Sequence, residues 1–194
     1  MNTFEQFIQN LEFDGTDRAH DQMFTYGHKI GNGDDDNHFS ISFTSLSLLR
    51  RLQPNHNCIF HLDTTYKITK TNMPLTVFGM TDMQHRFWPI SFMLSSHETT
   101  EDYVYFFENL NNMCRRLDIE FNPAYIVTDA CKAMKKALEL VYPNCQTLMC
   151  WFHVKFNLKK KKNLISDYKK TMIQVNELYR CPDETEYNVF FYYL

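Results

Sequence analysis

CIFHLD (58–63), PLTVFGMTD (74–82) and FWPISFMLS (87–95) are three short, mostly apolar runs, each bounded by polar residues. Runs of this length with these boundaries read as buried β-strands. Only MQHR (83–86) separates the second run from the third, so that pair reads as a hairpin. Pro89 lies inside the third run. Proline has no N–H to give to a ladder, which points to a strand at the sheet edge.

Downstream the period changes. Thr99 with Asp102 three residues on is a helix cap. Tyr103, Phe106, Phe107, Leu110, Met113, Cys114 and Leu117 then form one apolar stripe at helical spacing. AYIVTD (124–129) is a fourth strand. Ala130, Ala133, Met134, Ala137, Leu138 and Val141 mark a second helix stopped by Pro143, and TLMCW (147–151) is a fifth strand. The order is β-β-β-α-β-α-β, a three-strand antiparallel meander followed by parallel partners added through crossovers. The fold class is mixed α/β.

Upstream, Phe4, Phe7, Ile8 and Leu11 form a short amphipathic helix. Residues 13–38 are polar and irregular and read as a solvated linker. Asp34, Asp35 and Asp36 stand side by side there, without the alternating ligand spacing of a calcium loop. TSLSLLRRL (44–52) is a short helix ending before Pro54. After the fifth strand, Ile165, Tyr168, Met172, Val175 and Tyr179 keep helical spacing, and so do Tyr187, Phe190, Phe191 and Leu194. That last stripe has no partner in the sequence, which leads to the expectation that the native chain continues.

The 194 residues suffice for one domain with a real core, and 44% apolar with 15% aromatic residues is a globular composition. A formal charge of −3 gives no chain-wide attraction to nucleic acid, so such contact must rest on local patches. The six cysteines lack a disulfide-scaffold rhythm, the N-terminus lacks a signal peptide, and no apolar run reaches membrane-spanning length. A soluble, intracellular, thiol-reduced protein is expected.

Two aspartates close apolar strands, Asp63 after CIFHL and Asp129 after AYIVT. If those strands are parallel neighbours, both carboxylates project into one site, about 4.8 Å apart. Like charges at that distance call for a cation, and hard oxygen donors favour Mg²⁺ or Mn²⁺. On position alone, the cap of a strand-to-helix turn is the better account of each aspartate.

LDTTYKITKTNMPLTVFGMTD, WPISFMLSSHETTEDYVYFFENL, YIVTDACKAMKKAL and CWFHVKFN, in that order, resemble the successive signatures of MULE (Mutator-like element) transposases, over roughly residues 58 to 157. The resemblance implies a ribonuclease H-like fold and a catalytic set of two Asp and one Glu on divalent metal. Its first Asp falls on Asp63 and its second on Asp129, as catalytic residues and metal ligands. It further implies DNA, the transposon ends, as partner, with a possible homodimer and a nuclear location. The family's Cys-x-x-His motif matches Cys150 and His153, read as structural or DNA-contacting. Zinc is not expected there, because no clean second pair of ligands exists and Cys145 and Cys181 are unpatterned. The family's third carboxylate belongs beyond a helical insertion. Glu177, Glu184 and Glu186 fall within that insertion, so none is promoted to catalyst, and the set reads as incomplete in this chain. The upstream zinc-finger module common in the family has no counterpart here.

Lysines 155, 159, 160, 161, 162, 169 and 170 make one basic cluster. Lys155, Lys159 and Lys162 fall on one helical face and are candidate phosphate contacts, or a merely solvated surface. The aromatics do not read as a base-stacking platform. The expected organisation is an N-terminal helical and linker segment (1–53), a ribonuclease H-like core (54–157) and a partial helical insertion (158–194). Two functions compete: DNA transposition by metal-dependent cleavage and strand transfer, and a decayed or domesticated fragment that binds DNA or protein without cutting. A hydrolase of another kind lacks its nucleophile elbow.

Overall fold

The computed structural model describes residues 3–15, 19–53, 58–129 and 131–182. In chain order the elements are α1 (Thr3–Leu11), β1 (Met23–Lys29), β2 (Ser40–Ser45), α2 (Leu46–Leu49) with a 3-10 turn (Arg50–Leu52), β3 (Ile59–Thr65), β4 (Leu75–Thr81) and β5 (Phe87–Ser95). There follow α3 (Thr100–Arg116), β6 (Tyr125–Thr128), α4 (Lys132–Val141), β7 (Gln146–Met149), α5 (Trp151–Lys160), a 3-10 turn (Lys162–Leu164) and α6 (Tyr168–Arg180). Two compact units make up the chain, Met1–Met149 and Cys150–Leu194. The expected last helix, with Tyr187, Phe190, Phe191 and Leu194, lies outside the described residues, as do Glu184 and Glu186.

The first unit is one mixed sheet in the order β1-β2-β5-β4-β3-β6-β7. β3, β4 and β5 form the antiparallel meander, and β6 and β7 add in parallel beyond β3. This is the mixed α/β plan expected, and it is consistent with a ribonuclease H-like fold.

Three expectations need correction. Residues 23–29 are not linker but β1, and with β2 they extend the sheet past β5. Consequently β5 is not an edge strand. The Pro89 argument nonetheless holds locally, because β2 pairs only with Phe92–Ser95, leaving the proline half of β5 with a backbone ladder on the β4 side alone. There Pro89 faces Gly79 across a register shift. A Cβ at Gly79 would collide with the Phe87 ring and the Trp88 carbonyl, so only glycine permits this close approach. The fifth strand ends at Met149, and Cys150 and Trp151 belong to the start of α5.

The meander's β4–β5 hairpin closes on Asp82. Its Oδ1 accepts from the backbone N–H groups of Gln84 (2.9 Å) and Arg86 (3.0 Å), and its Oδ2 from Trp88 Nε1 (2.9 Å) and Arg86 Nε (2.9 Å). These donors, the Trp88 indole first, hold the carboxyl far below the usual range.

The core lies between the sheet and α3. Thr99 and Asp102 make the expected capping box, and Asp102 is buried. Tyr103, Phe106, Phe107, Leu110, Met113 and Cys114 are all buried in one cluster with Phe60, Leu62, Phe78 and Ile126 of the sheet. Several rings pack edge-on: Phe78 to Phe107 at 5.5 Å and 89°, Phe107 to Tyr142 at 5.4 Å and 78°. Each such ring contributes roughly 1.5–3 kcal/mol by leaving water. Met134, Ala137 and Leu138 carry the same core into α4. Among the described residues, no helix is long and apolar enough to cross a membrane.

Candidate functional site

The two aspartates owe their positions to the β3–β6 ladder. β3 and β6 run parallel, with Phe60 opposite Ile126, His61 opposite Val127 and Leu62 opposite Thr128. One step further along the same register stand Asp63 and Asp129. Side chains alternate across a strand, and neighbouring positions on parallel strands share a face. Phe60, Leu62, Ile126 and Thr128 take the buried face. His61, Asp63, Val127 and Asp129 therefore take the other. Asp63 is exposed and Asp129 half-buried.

The two differ in how the backbone holds them. Asp63 lies inside β3, paired with Val77 of β4, two residues short of the strand's end. Asp129 follows the last residue of β6, and its Oδ1 accepts from the backbone N–H of Cys131 at 2.8 Å. Asp129 thus also braces the turn into α4. The capping role weighed from sequence is present at Asp129 alongside its place in the register.

Below the aspartates on the same face is His61. Its Nε2 meets Thr81 Oγ1 at 2.7 Å, and burial lowers its pKa, favouring the neutral ring. On the opposite face, Thr64 is tied to Thr76 Oγ1 (2.9 Å) and to the Tyr103 hydroxyl (3.2 Å). Tyr103 donates to Glu98 Oε1 at 2.6 Å, and Tyr66 donates to Glu98 Oε2. Burial first, then the Glu98 carboxylate, drives the Tyr103 phenol far above its ordinary value, so it stays a donor. Sequence reasoning missed this Thr64–Tyr103–Glu98–Tyr66 chain, which fixes the backbone on the C-terminal side of Asp63. The available signal was the Glu just ahead of the Thr99 cap.

No third carboxylate joins the pair among the described residues. Among the described residues, no three His, Cys, Asp or Glu side chains are grouped to hold a metal ion. Glu177 lies in α6, in the second unit. The donor set of the pair alone, hard oxygens on adjacent strands, fits one Mg²⁺ or Mn²⁺ incompletely coordinated by protein.

In the second unit, Cys150 is the N-cap residue of α5, without a side-chain capping bond, and His153 lies in the helix's first turn. The six cysteines are all free thiols. Lys155 and Lys159 are exposed on α5. Lys162 does not continue their face. The helix ends at Lys160, Lys161 donates its N–H to the Asn157 and Leu158 carbonyls, and Lys162 opens a separate 3-10 turn. A run of four ammonium groups repels itself along a regular helix, which fits the break falling within it.

A family model described as the MULE transposase domain matches residues 59–157, from the first residue of β3 to within α5. The chain is also 32% identical over 139 residues to the PKS-NRPS hybrid synthetase cheA of Chaetomium globosum. That match covers 63% of this chain but 3% of that protein, so the synthetase activity in its name is not carried to this chain. With the meander, the crossover to β6 and the matched segment in agreement, the chain belongs to the MULE transposase domain family.

Proposed function

We propose that residues 54–157 are the metal-dependent DNA-cleaving core of a transposase, with Asp63 and Asp129 as two of its catalytic carboxylates. The reaction is DNA transposition by phosphodiester cleavage and strand transfer, the substrate is the transposon ends, and residues 158–194 are part of a helical insertion. The working assembly is a homodimer in the nucleus. The single observation behind this reading is the register, which puts Asp63 and Asp129 one step beyond Leu62 and Thr128 on a shared face. Mg²⁺ or Mn²⁺ held there would activate a water and stabilise the leaving oxygen. The protein's own part is to fix the ligands. The β3 ladder immobilises Asp63, and the Cys131 N–H engages one oxygen of Asp129, leaving the other for the cation.

A second reading, a non-catalytic binding module, is favoured by the lack of a third ligating side chain near the pair among the described residues. A two-metal phosphodiester site needs such a group to fix the second ion. The expected outcome is weak Mn²⁺ binding by the wild-type chain, loss of that binding in Asp63→Asn, and no nicking of supercoiled DNA by either. Equal Mn²⁺ binding by the two proteins would remove the carboxylate pair from the mechanism. Nicking by the wild type, abolished by Asp63→Asn, would refute the binding-module reading and require a third ligand within the chain.

A further inference from the structure

Helical spacing puts Phe152, Lys155, Phe156 and Lys159 at i, i+3, i+4 and i+7 on one side of α5. All four are exposed, Phe152 at 68% and Phe156 at 43%. Trp151, Val154 and Leu158, on the other side, are half-buried, and α6 lays Tyr179 flat on Trp151 at 4.4 Å and 12°. The packing of α6 thus uses the Trp151 side of α5. The Phe152 and Phe156 rings are nearly parallel, 10° apart with centroids at 6.0 Å. Lys160 Nζ lies 4.4 Å from the Phe156 ring centre. Phe152 and Phe156 are thus two nearly parallel exposed rings one turn apart, with the Lys160 ammonium over the Phe156 ring and Lys155 and Lys159 on the same side of the helix.

We infer that this face of α5 binds an unpaired DNA strand, with bases stacked on Phe152 and Phe156 and phosphates on Lys155, Lys159 and Lys160. The inference rests on the reading of the chain as a DNA-processing transposase. Charge identifies an anionic partner. From 151 to 182, seven lysines and Arg180 stand against only Asp167 and Glu177, while the whole chain is net acidic at −3. Side-chain type then selects among anions. Ring faces in water are poor partners for a phosphate backbone alone, and bases stacked within a duplex cannot reach them, whereas unpaired bases stack on them irrespective of sequence. A membrane-surface helix segregates its cations from its aromatics, while α5 interleaves them on one side. The spacing matches the task, because a phosphate attached to a base on either ring falls near an ammonium group.

The test uses the full chain and a fluorescein-labelled oligothymidylate of about 20 nucleotides, read by anisotropy against a duplex of equal length. The wild type binds the single strand more tightly than the duplex. Phe152→Leu and Phe156→Leu each weaken single-strand binding about five-fold or more, with duplex binding and melting temperature unchanged, and Phe152→Trp retains it. Lys155→Gln and Lys159→Gln weaken both substrates and flatten the salt dependence. Leucine variants that bind the single strand like wild type, a wild-type preference for duplex, or tighter binding to the matching oligouridylate RNA would each overturn the inference. Asp63→Asn keeps oligothymidylate binding while losing the Mn²⁺ response. Failure of the metal site and failure of this face are thus read separately.

Discussion

Replacing Asp63 by asparagine is expected to stabilise the metal-free protein. Continuing the β3–β6 register one step past Leu62 and Thr128 brings Asp63 and Asp129 to about one strand spacing, on the order of 5 Å. Two unit charges at that separation repel by about 1 kcal/mol in water and about 3 kcal/mol at an effective dielectric of 20. Asp63 is exposed, so the lower figure applies. Asparagine keeps the shape and removes the charge. For a chain of this size, about 1 kcal/mol raises the melting temperature by about 2–4 °C. Salt near 1 M, with a Debye length of about 3 Å, should erase most of that gain. Divalent metal should reverse the order. Mn²⁺ at ten times its dissociation constant stabilises the wild type by about 1.4 kcal/mol and leaves the variant unmoved. Differential scanning fluorimetry at low and high salt, with and without Mn²⁺, reads all four conditions. An Asp63→Asn protein that melts lower than wild type without metal, or gains equally from Mn²⁺, would refute the reasoning.

Three further outcomes follow from the same structure. His38 Nδ1 lies 2.9 Å from Asp102 Oδ1, and this hydrogen bond raises the His38 pKa above its ordinary 6.5. The stabilisation is therefore fully present below about pH 6.5 and lost as pH rises through the raised value, so the stability gap to His38→Asn should be widest in acid; a gap that widens with pH would contradict it. Phe107→Ala, at a fully buried ring packed on Phe78 and Tyr142, should cost about 3–5 kcal/mol in urea denaturation, and a loss below about 1 kcal/mol would show the core misassigned. Elemental analysis of the purified chain should find zinc well below one equivalent, and a stoichiometric signal would make Cys150 and His153 ligands.

How far the fold was legible depends on what each strand buries. β3, β4, β5 and β6 announce themselves because their buried positions are apolar, as with Phe60, Leu62, Phe78 and Ile126. β2 buries Ser40, Ser42 and Thr44 instead. Its SISFTS sequence carries no apolar run, although Thr44 Oγ1 satisfies itself on the Ile90 carbonyl at 2.6 Å. β1 alternates, but a register shift between Thr25 and Gly27 breaks the period that would reveal it. Small hydroxyl residues fit inside a sheet even where, as at Ser40, the buried hydroxyl has no hydrogen-bond partner among the described residues, and a hydropathy pattern cannot see them. α3 was legible in full because a capping box and a long stripe are local signals. The parallel alignment of β3 with β6 is not local. It is set across some sixty residues of chain by the packing of α3 on the sheet, and no spacing in the sequence encodes it.

The same distinction separates the two aspartates. Asp63 is held by ladders on its strand and braced from the far face by Thr64, Tyr103 and Glu98. Asp129 lies just past the β6 ladder and holds the turn into α4 through its own carboxylate. Removing that carboxylate as alanine would release the Cys131 N–H as well as a negative charge, and the two effects could not be told apart. Asparagine keeps an acceptor oxygen for the turn and removes only the charge. A catalytic role for Asp129 is therefore measured by asparagine and confounded by alanine.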